Sequence, residues 1–132
     1  MAQASNPARN RPLSPHMQIW RWGPGMLSSI LHRVTGVGAT VGLGVLLWWL
    51  CALVSGAEAY AAFVGHATSW YGLVVLVGVS WAVIGHTVTG IRHFVLDIGA
   101  GYELDANNRW ATISTLLGIV LTVAFWAVLL VR

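Results

Sequence analysis

Three apolar segments long enough to cross a lipid bilayer constrain this chain more than any other feature. They occupy residues 29–54, 70–96 and 112–131, and each meets the requirement of about 20 helical residues for crossing the hydrocarbon. The composition agrees, because 57% of the 132 residues are apolar and only 8% are charged, whereas soluble domains average about a quarter charged residues. The mean hydropathy is +0.72. We therefore predict an all-α integral membrane protein with three transmembrane helices.

The predicted domain organisation has two parts. Residues 1–28, which include several prolines and arginines, form a cytoplasmic N-terminal segment, and residues 29–132 form the three-helix transmembrane domain. A secretory signal is not expected, because the first apolar run begins late and is too long for the core of a signal peptide. Three helices bury little of one another. We therefore expect the domain to pack against lipid and other subunits.

The distribution of the seven basic residues, all of them arginine, predicts the topology. Four arginines precede or open the first helix: Arg9, Arg11, Arg21 and Arg33. Arg109 lies in the loop at 97–110, the loop at 55–69 has no basic residue, and only Arg132 lies at the opposite end. The positive-inside rule therefore places the N-terminus in the cytoplasm and the C-terminus outside. This asymmetry also explains the pI of about 9.8, so a nucleic-acid surface is not needed.

Ionisable residues at the end of the second apolar segment are the strongest functional signal. His86, Arg92, His93 and Asp97 lie there, and charged groups inside a membrane-length helix are rare because their desolvation is costly. His86 and His93 share one helical face but lie about 10 Å apart along the axis, so one metal cannot be ligated by both. We interpret one histidine as a deep axial ligand and the other, with Arg92, as a polar contact nearer the surface.

With the predicted orientation, polar residues of the first two helices lie at one depth. His32 and Arg33 open the first helix, and Arg92 and His93 close the second. A haem fits this layout, with its iron near His86 and its propionates directed toward these four residues, because arginine forms strong charge-assisted hydrogen bonds to carboxylates.

Each of these residues also has a simpler structural interpretation. An intramembrane histidine such as His86 can serve only as an interhelical hydrogen-bond partner, and Arg92 and His93 can extend toward the headgroups. His66 is expected on the outer surface. Gly38 and Gly42, spaced four apart, indicate close helix packing and carry no chemistry of their own.

Three motifs resemble a known family. They lie at residues 11–16 (RPLSPH), 29–36 (SILHRVTG) and 86–97 (HTVTGIRHFVLD). In this combination the chain resembles the cytochrome b subunits of succinate dehydrogenase, the larger membrane anchors of respiratory complex II. The resemblance covers nearly the whole chain, including three spans in the same order.

The resemblance implies a cofactor, a substrate and partners. His86 matches an axial ligand of haem b, whose other ligand is a histidine of a second, smaller anchor subunit. Ser29 and Arg33 match residues of the ubiquinone site, and His32, Arg92 and His93 match residues near the haem propionates. A flavoprotein and an iron–sulfur subunit would pass electrons from succinate to ubiquinone. The chain would not be catalytic alone.

Three rival interpretations remain at this point. A haem-free anchor would only hold a soluble enzyme at the membrane, and a quinol:fumarate reductase anchor would use the same residues in a complex running in the opposite direction. The third is a small transporter or channel subunit that uses the histidine and arginine residues as a proton path. The expected location is a bacterial inner membrane rather than a mitochondrial one, because the segment before the first motif is short for a transit peptide.

Overall fold

The computed structural model describes residues 15–19 and 21–131. Most of the predicted N-terminal segment, most of the 11–16 motif, and Arg132 therefore lie outside the described residues. A short 3-10 helix spans His16–Ile19. Four α-helices follow within the described part of the chain: α1 (Pro24–Ser55), α2 (Ala57–Ala67), α3 (Trp70–Asp97) and α4 (Leu104–Val131).

Helices α1, α3 and α4 are each long and apolar enough to cross a membrane. The predicted all-α membrane fold with three spans is therefore confirmed. Two helices begin before their apolar segments: α1 begins at Pro24 rather than residue 29, and α4 begins at Leu104 rather than residue 112. Proline fits the first turn of a helix, where its missing N–H is not needed. Hydropathy alone does not detect such polar first turns.

Helix α2 is the element that the sequence analysis missed. The loop predicted at 55–69 contains this 11-residue helix, which is too short to span the bilayer. A single residue, Gly56, separates it from α1, and its φ of 107° lies in the region that favours glycine. The Phe63 ring of α2 packs edge-on against Trp48 of α1 at a centroid distance of 4.9 Å, which holds the short helix against the bundle.

Helix α3 lies between α1 and α4 and packs along both, while α1 also contacts α4. The buried positions carry mostly small side chains, which let helix backbones approach closely. A β-carbon added at Gly38 would lie 2.7 Å from the Ala82 β-carbon, and one added at Gly118 would lie 2.9 Å from the Gly85 α-carbon. The close approach predicted from Gly38 and Gly42 is therefore confirmed.

Threonine hydroxyls in the buried positions are satisfied within their own helices. Thr35 donates to the Leu31 carbonyl at 2.8 Å, Thr89 to the Gly85 carbonyl at 2.7 Å, and Thr122 to the Gly118 carbonyl at 2.8 Å. Such bonds to the preceding turn are a usual arrangement for threonine within helices. The bundle interior therefore contains hydroxyl oxygens whose hydrogens are already used.

Candidate functional site

Three histidines meet where α1 packs against α3. The His32 ring of α1 stacks on the His86 ring of α3, with centroids 3.9 Å apart and planes inclined by 9°. The His93 ring also contacts the His32 ring, with centroids 4.6 Å apart and planes inclined by 49°. All three residues are half-buried. The seven-residue spacing of His86 and His93 thus produces the predicted common face, and α1 inserts a third imidazole between them.

His86 is held through one ring nitrogen. Its Nδ1 lies 3.0 Å from the backbone carbonyl of His32 and 3.4 Å from Thr35 Oγ1. A carbonyl can only accept, so Nδ1 carries the hydrogen and a neutral ring has its lone pair on Nε2. Among the described residues none forms a hydrogen bond to this Nε2. Metal-ligating histidines commonly donate their second ring N–H to a carbonyl in this way.

Gly36 provides the space for the His86 ring. A β-carbon at Gly36 would lie 3.0 Å from His86 Cε1, a separation at which the ring would have to shift. Gly90 similarly faces the His32 ring, with 3.6 Å between an added β-carbon and His32 Cε1. By contrast, Gly85 packs against Gly118 of α4 and does not open space beside the histidines.

His32 is fixed by Thr89, a residue that the sequence analysis did not identify. His32 Nδ1 lies 2.8 Å from Thr89 Oγ1. Because the Thr89 hydroxyl hydrogen is used by the Gly85 carbonyl, its oxygen accepts from His32. Thr35 and Thr89 each follow a histidine by three residues, which places them on the same helical face. This spacing is the signal that could have found them.

His93 and the first turns of α1 complete the surroundings. His93 Nε2 is buried without a hydrogen-bond partner among the described residues. Ser29 is half-buried and Arg33 is exposed, and both lie within one helical turn of His32. The neighbouring Ser28 instead faces the bundle interior at 1% exposure, with its hydroxyl oxygen unpaired. Ser29 and Arg33 therefore lie beside the histidine cluster along α1.

Arg92 lies apart from the histidines. Its side chain is buried, at 8% exposure, and its Nη2 donates to Asn107 Oδ1 of α4. The structure therefore brings His32, His86 and His93 together but directs the Arg92 guanidinium to the opposite side of α3. The predicted contact of Arg92 with a haem propionate stays a prediction.

The fold and site define a class of protein, a multi-pass helical membrane protein with three imidazoles clustered between two of its spans. The sequence model of the family described as succinate dehydrogenase/fumarate reductase transmembrane subunit matches residues 7–125. The chain belongs to this family.

Individual relatives support the same family assignment. The chain is 37% identical to the succinate dehydrogenase cytochrome b556 subunit of Paracoccus denitrificans, over 76% of this chain and 77% of the relative. It is 36% identical to the protein of the same name from Rickettsia felis, over 88% and 90% of the two chains. It is also 32% identical to the mitochondrial succinate dehydrogenase cytochrome b560 subunit of Sus scrofa, over 92% and 73%.

Proposed function

We propose that this chain is the haem b-binding membrane anchor of a succinate dehydrogenase and forms part of its ubiquinone-reduction site. The observation that carries the proposal is the state of His86, whose Nδ1 is held by the His32 carbonyl while Nε2 is left for a ligand. The names of the relatives, cytochrome b556 and b560 subunits of succinate dehydrogenase, support it. They favour succinate oxidation over the quinol:fumarate reductase alternative.

The residues present fit a haem. Stacking with His32 occupies only the face of the His86 ring, so the edge that carries Nε2 is not covered by this contact. His93 offers a buried unpaired nitrogen nearby, and His32 is oriented by Thr89. We propose that His86 is one axial ligand and that His32 and His93 line the haem environment. The bound haem would supply a one-electron redox centre.

The second axial ligand is proposed to be a histidine of the smaller anchor subunit. Within residues 15–19 and 21–131, no group of three or more His, Cys, Asp or Glu side chains is placed to hold a metal ion, and His86 and His93 are separated along α3. Large apolar side chains are exposed along all three spans, leaving surface for that subunit and for lipid. The flavoprotein and the iron–sulfur subunit are the proposed soluble partners.

Ser29 and Arg33 are the proposed quinone-binding residues. The Ser29 hydroxyl would donate to a quinone carbonyl, and Arg33, which is permanently cationic, would stabilise negative charge developing on the quinone oxygens. The exposure of Arg33 and the absence of any ion pair to it in the described part of the chain leave its guanidinium free for this role.

The proposed location is a bacterial inner membrane, with the N-terminus in the cytoplasm and the C-terminus in the periplasm. Arg21, Arg33 and Arg109 lie toward one end of the bundle, whereas α2 at the other end has no arginine. This distribution satisfies the positive-inside rule. The relatives come from bacteria and from mitochondria, so the fold suits both membranes.

Co-purification tests the proposal as a whole. A tag on this chain should recover a flavoprotein, an iron–sulfur protein and a second membrane anchor, and the reduced complex should show b-type haem absorbance. Recovery of the three partners without haem would select the haem-free anchor. Recovery of none would refute the proposed function, and transport by the chain alone in vesicles would select the transporter interpretation.

Ser29→Ala is expected to separate quinone chemistry from succinate oxidation. Loss of one hydroxyl costs about 1 kcal/mol, so ubiquinone reduction should fall about fivefold while succinate oxidation by a soluble dye persists. Ser28→Ala is the matched control, because the Ser28 hydroxyl is buried and unpaired, and it should leave ubiquinone reduction near wild type. A parallel fall of both activities in Ser29→Ala would assign Ser29 a structural role.

Gly36→Val is expected to disturb the haem without removing a ligand. The added methyl groups would push the His86 ring, which already lies 3.0 Å from the position of a β-carbon at residue 36. The electron paramagnetic resonance spectrum of the oxidised haem should shift. Gly44→Val is the control, since nothing lies within 4 Å of a β-carbon there. Identical spectra for the two variants would mean that His86 does not ligate the iron.

A further inference from the structure

Arg92 links α3 to α4 through a buried side-chain hydrogen bond that neither the haem nor the quinone proposal uses. The Arg92 side chain is 8% exposed, and its Nη2 donates to Asn107 Oδ1. Its Nε is buried without a hydrogen-bond partner in the described part of the chain. Because a buried guanidinium is costly to leave unpaired, its bond to Asn107 is a strong constraint on how α3 and α4 pack.

The Asn107 side chain also lies against the first turns of α1. A β-carbon added at Gly25 would lie 3.5 Å from Asn107 Nδ2, which is van der Waals contact. The bond from Arg92 fixes the orientation of the amide, because Oδ1 must face the guanidinium. Gly25 and Ser29 are four residues apart and therefore share one face of α1. The bond between α3 and α4 thus supports the part of α1 that carries Ser29.

The register between α1 and α3 places Ser29 level with Arg92. His32 of α1 contacts Thr89 of α3 at 2.8 Å, and the contact three residues further along α1 and three earlier along α3 keeps the same antiparallel register. One step of three residues in the other direction leads to Ser29 and Arg92. The neighbouring Ser28 is 1% exposed, so α1 is packed into the bundle at this level. Three helices therefore meet at the depth of Ser29.

We propose that Arg92 is a positioning residue of the quinone site. Its bond to Asn107 holds the first turns of α1 against α4, and this contact sets the place of the Ser29 hydroxyl. Groups that bind a reacting molecule must be held within about 0.5 Å of their productive geometry by the residues behind them. The inference rests on the proposed role of Ser29 in quinone binding, and it requires no contact of Arg92 with quinone or haem.

Arg92→Met in the intact complex tests the proposal. Methionine is also long and flexible but donates no hydrogen bond, so Asn107 is no longer held in place. The kcat/KM for ubiquinone should fall about fivefold, the loss expected for one hydrogen bond, and the change should appear in KM rather than in kcat. Succinate oxidation by a soluble dye and the haem spectrum should stay unchanged. Arg109→Met, which removes an exposed cation near the same end of α4, is the control and should keep the wild-type KM.

Combining Arg92→Met with Ser29→Ala distinguishes positioning from a general loss of structure. If Arg92 acts through Ser29, the double variant should be at most about twofold worse in kcat/KM than Ser29→Ala alone, whereas independent effects would multiply to about 25-fold below wild type. Asn107→Leu removes the same bond from α4 and should behave in the same way, which keeps the test decisive if Arg92→Met fails to assemble.

Four outcomes would overturn the positioning role: multiplied effects in the double variant, a parallel fall of dye reduction, loss of haem, or a wild-type KM in Arg92→Met or Asn107→Leu while Ser29→Ala is impaired. The last outcome leaves the proposed quinone site intact. Wild-type ubiquinone reduction in Ser29→Ala itself would instead refute the quinone role of Ser29, and the positioning role of Arg92 with it.

Discussion

Replacing His86 with alanine is expected to abolish the low-spin b-type spectrum of the assembled complex. The substitution removes the proposed axial nitrogen, and no other described imidazole occupies the same position. Loss of a group that only supports a metal ligand typically costs 10- to 100-fold in affinity, so loss of the ligand itself should cost at least about that much. Haem content and spin state, measured by absorbance and electron paramagnetic resonance, give the readout.

Two controls accompany His86→Ala. His66→Ala removes an exposed imidazole of α2, whose Nδ1 lies 2.6 Å from the Tyr71 hydroxyl oxygen. This variant should leave the haem spectrum unchanged. Thr35→Val removes one contact of His86 Nδ1 but keeps the His32 carbonyl, so it should shift the spectrum without losing haem. A low-spin spectrum that survives in His86→Ala would assign the ligand to another residue, first to His93 with its unpaired Nε2.

Substitutions of Arg33 are expected to reduce ubiquinone reduction strongly. Arg33→Leu removes the charge and its hydrogen bonds, and the rate should fall about 10- to 100-fold, the range expected for a hydrogen bond to a charged group. Arg33→Lys keeps the charge but loses the planar arrangement of donors, and we expect roughly a tenfold loss. Succinate oxidation by a soluble dye should persist in both variants.

The same two substitutions at Arg109 provide the control, because Arg109 is also exposed and is predicted on the same side of the membrane. They should leave ubiquinone reduction near the wild-type rate. Haem content is measured in parallel, since Arg33 also belongs to the expected surroundings of the propionates. If the lysine and leucine variants both reduce ubiquinone at the wild-type rate, Arg33 contributes only to membrane topology. The quinone site would then be formed mainly by the partner subunits.

The sequence predicted the three spans because the length of an apolar run is a direct physical requirement for crossing hydrocarbon. It did not predict α2, whose 11 residues hold few large apolar side chains and are stabilised by the contact of Phe63 with Trp48. Pro24 indicates the start of α1, because proline is favoured in the first turn of a helix. The predicted span nevertheless began at residue 29, where the apolar residues begin.

The histidine cluster was predictable only in part. The seven-residue spacing of His86 and His93 gives their common face, but the insertion of His32 depends on the register between α1 and α3. Small residues set this register, through Gly38 against Ala82, and their partners cannot be read from one helix alone. The sequence does allow the direction of the Arg92 side chain relative to His93 to be predicted. Adjacent helical residues point about 100° apart, so Arg92 and His93 cannot share a face.

The threonines that bond to their own helices have a consequence for biogenesis. Thr35, Thr89 and Thr122 use their hydroxyl hydrogens within single helices, and these bonds exist before any neighbour arrives. These three hydroxyl donors therefore stay satisfied when each span leaves the translocon and enters lipid separately. His32 differs, because its Nδ1 finds Thr89 only after α3 has docked. Helix α1 thus carries an imidazole whose desolvation in lipid is compensated only when α1 pairs with α3. This couples the retention of α1 in the membrane to the synthesis of α3.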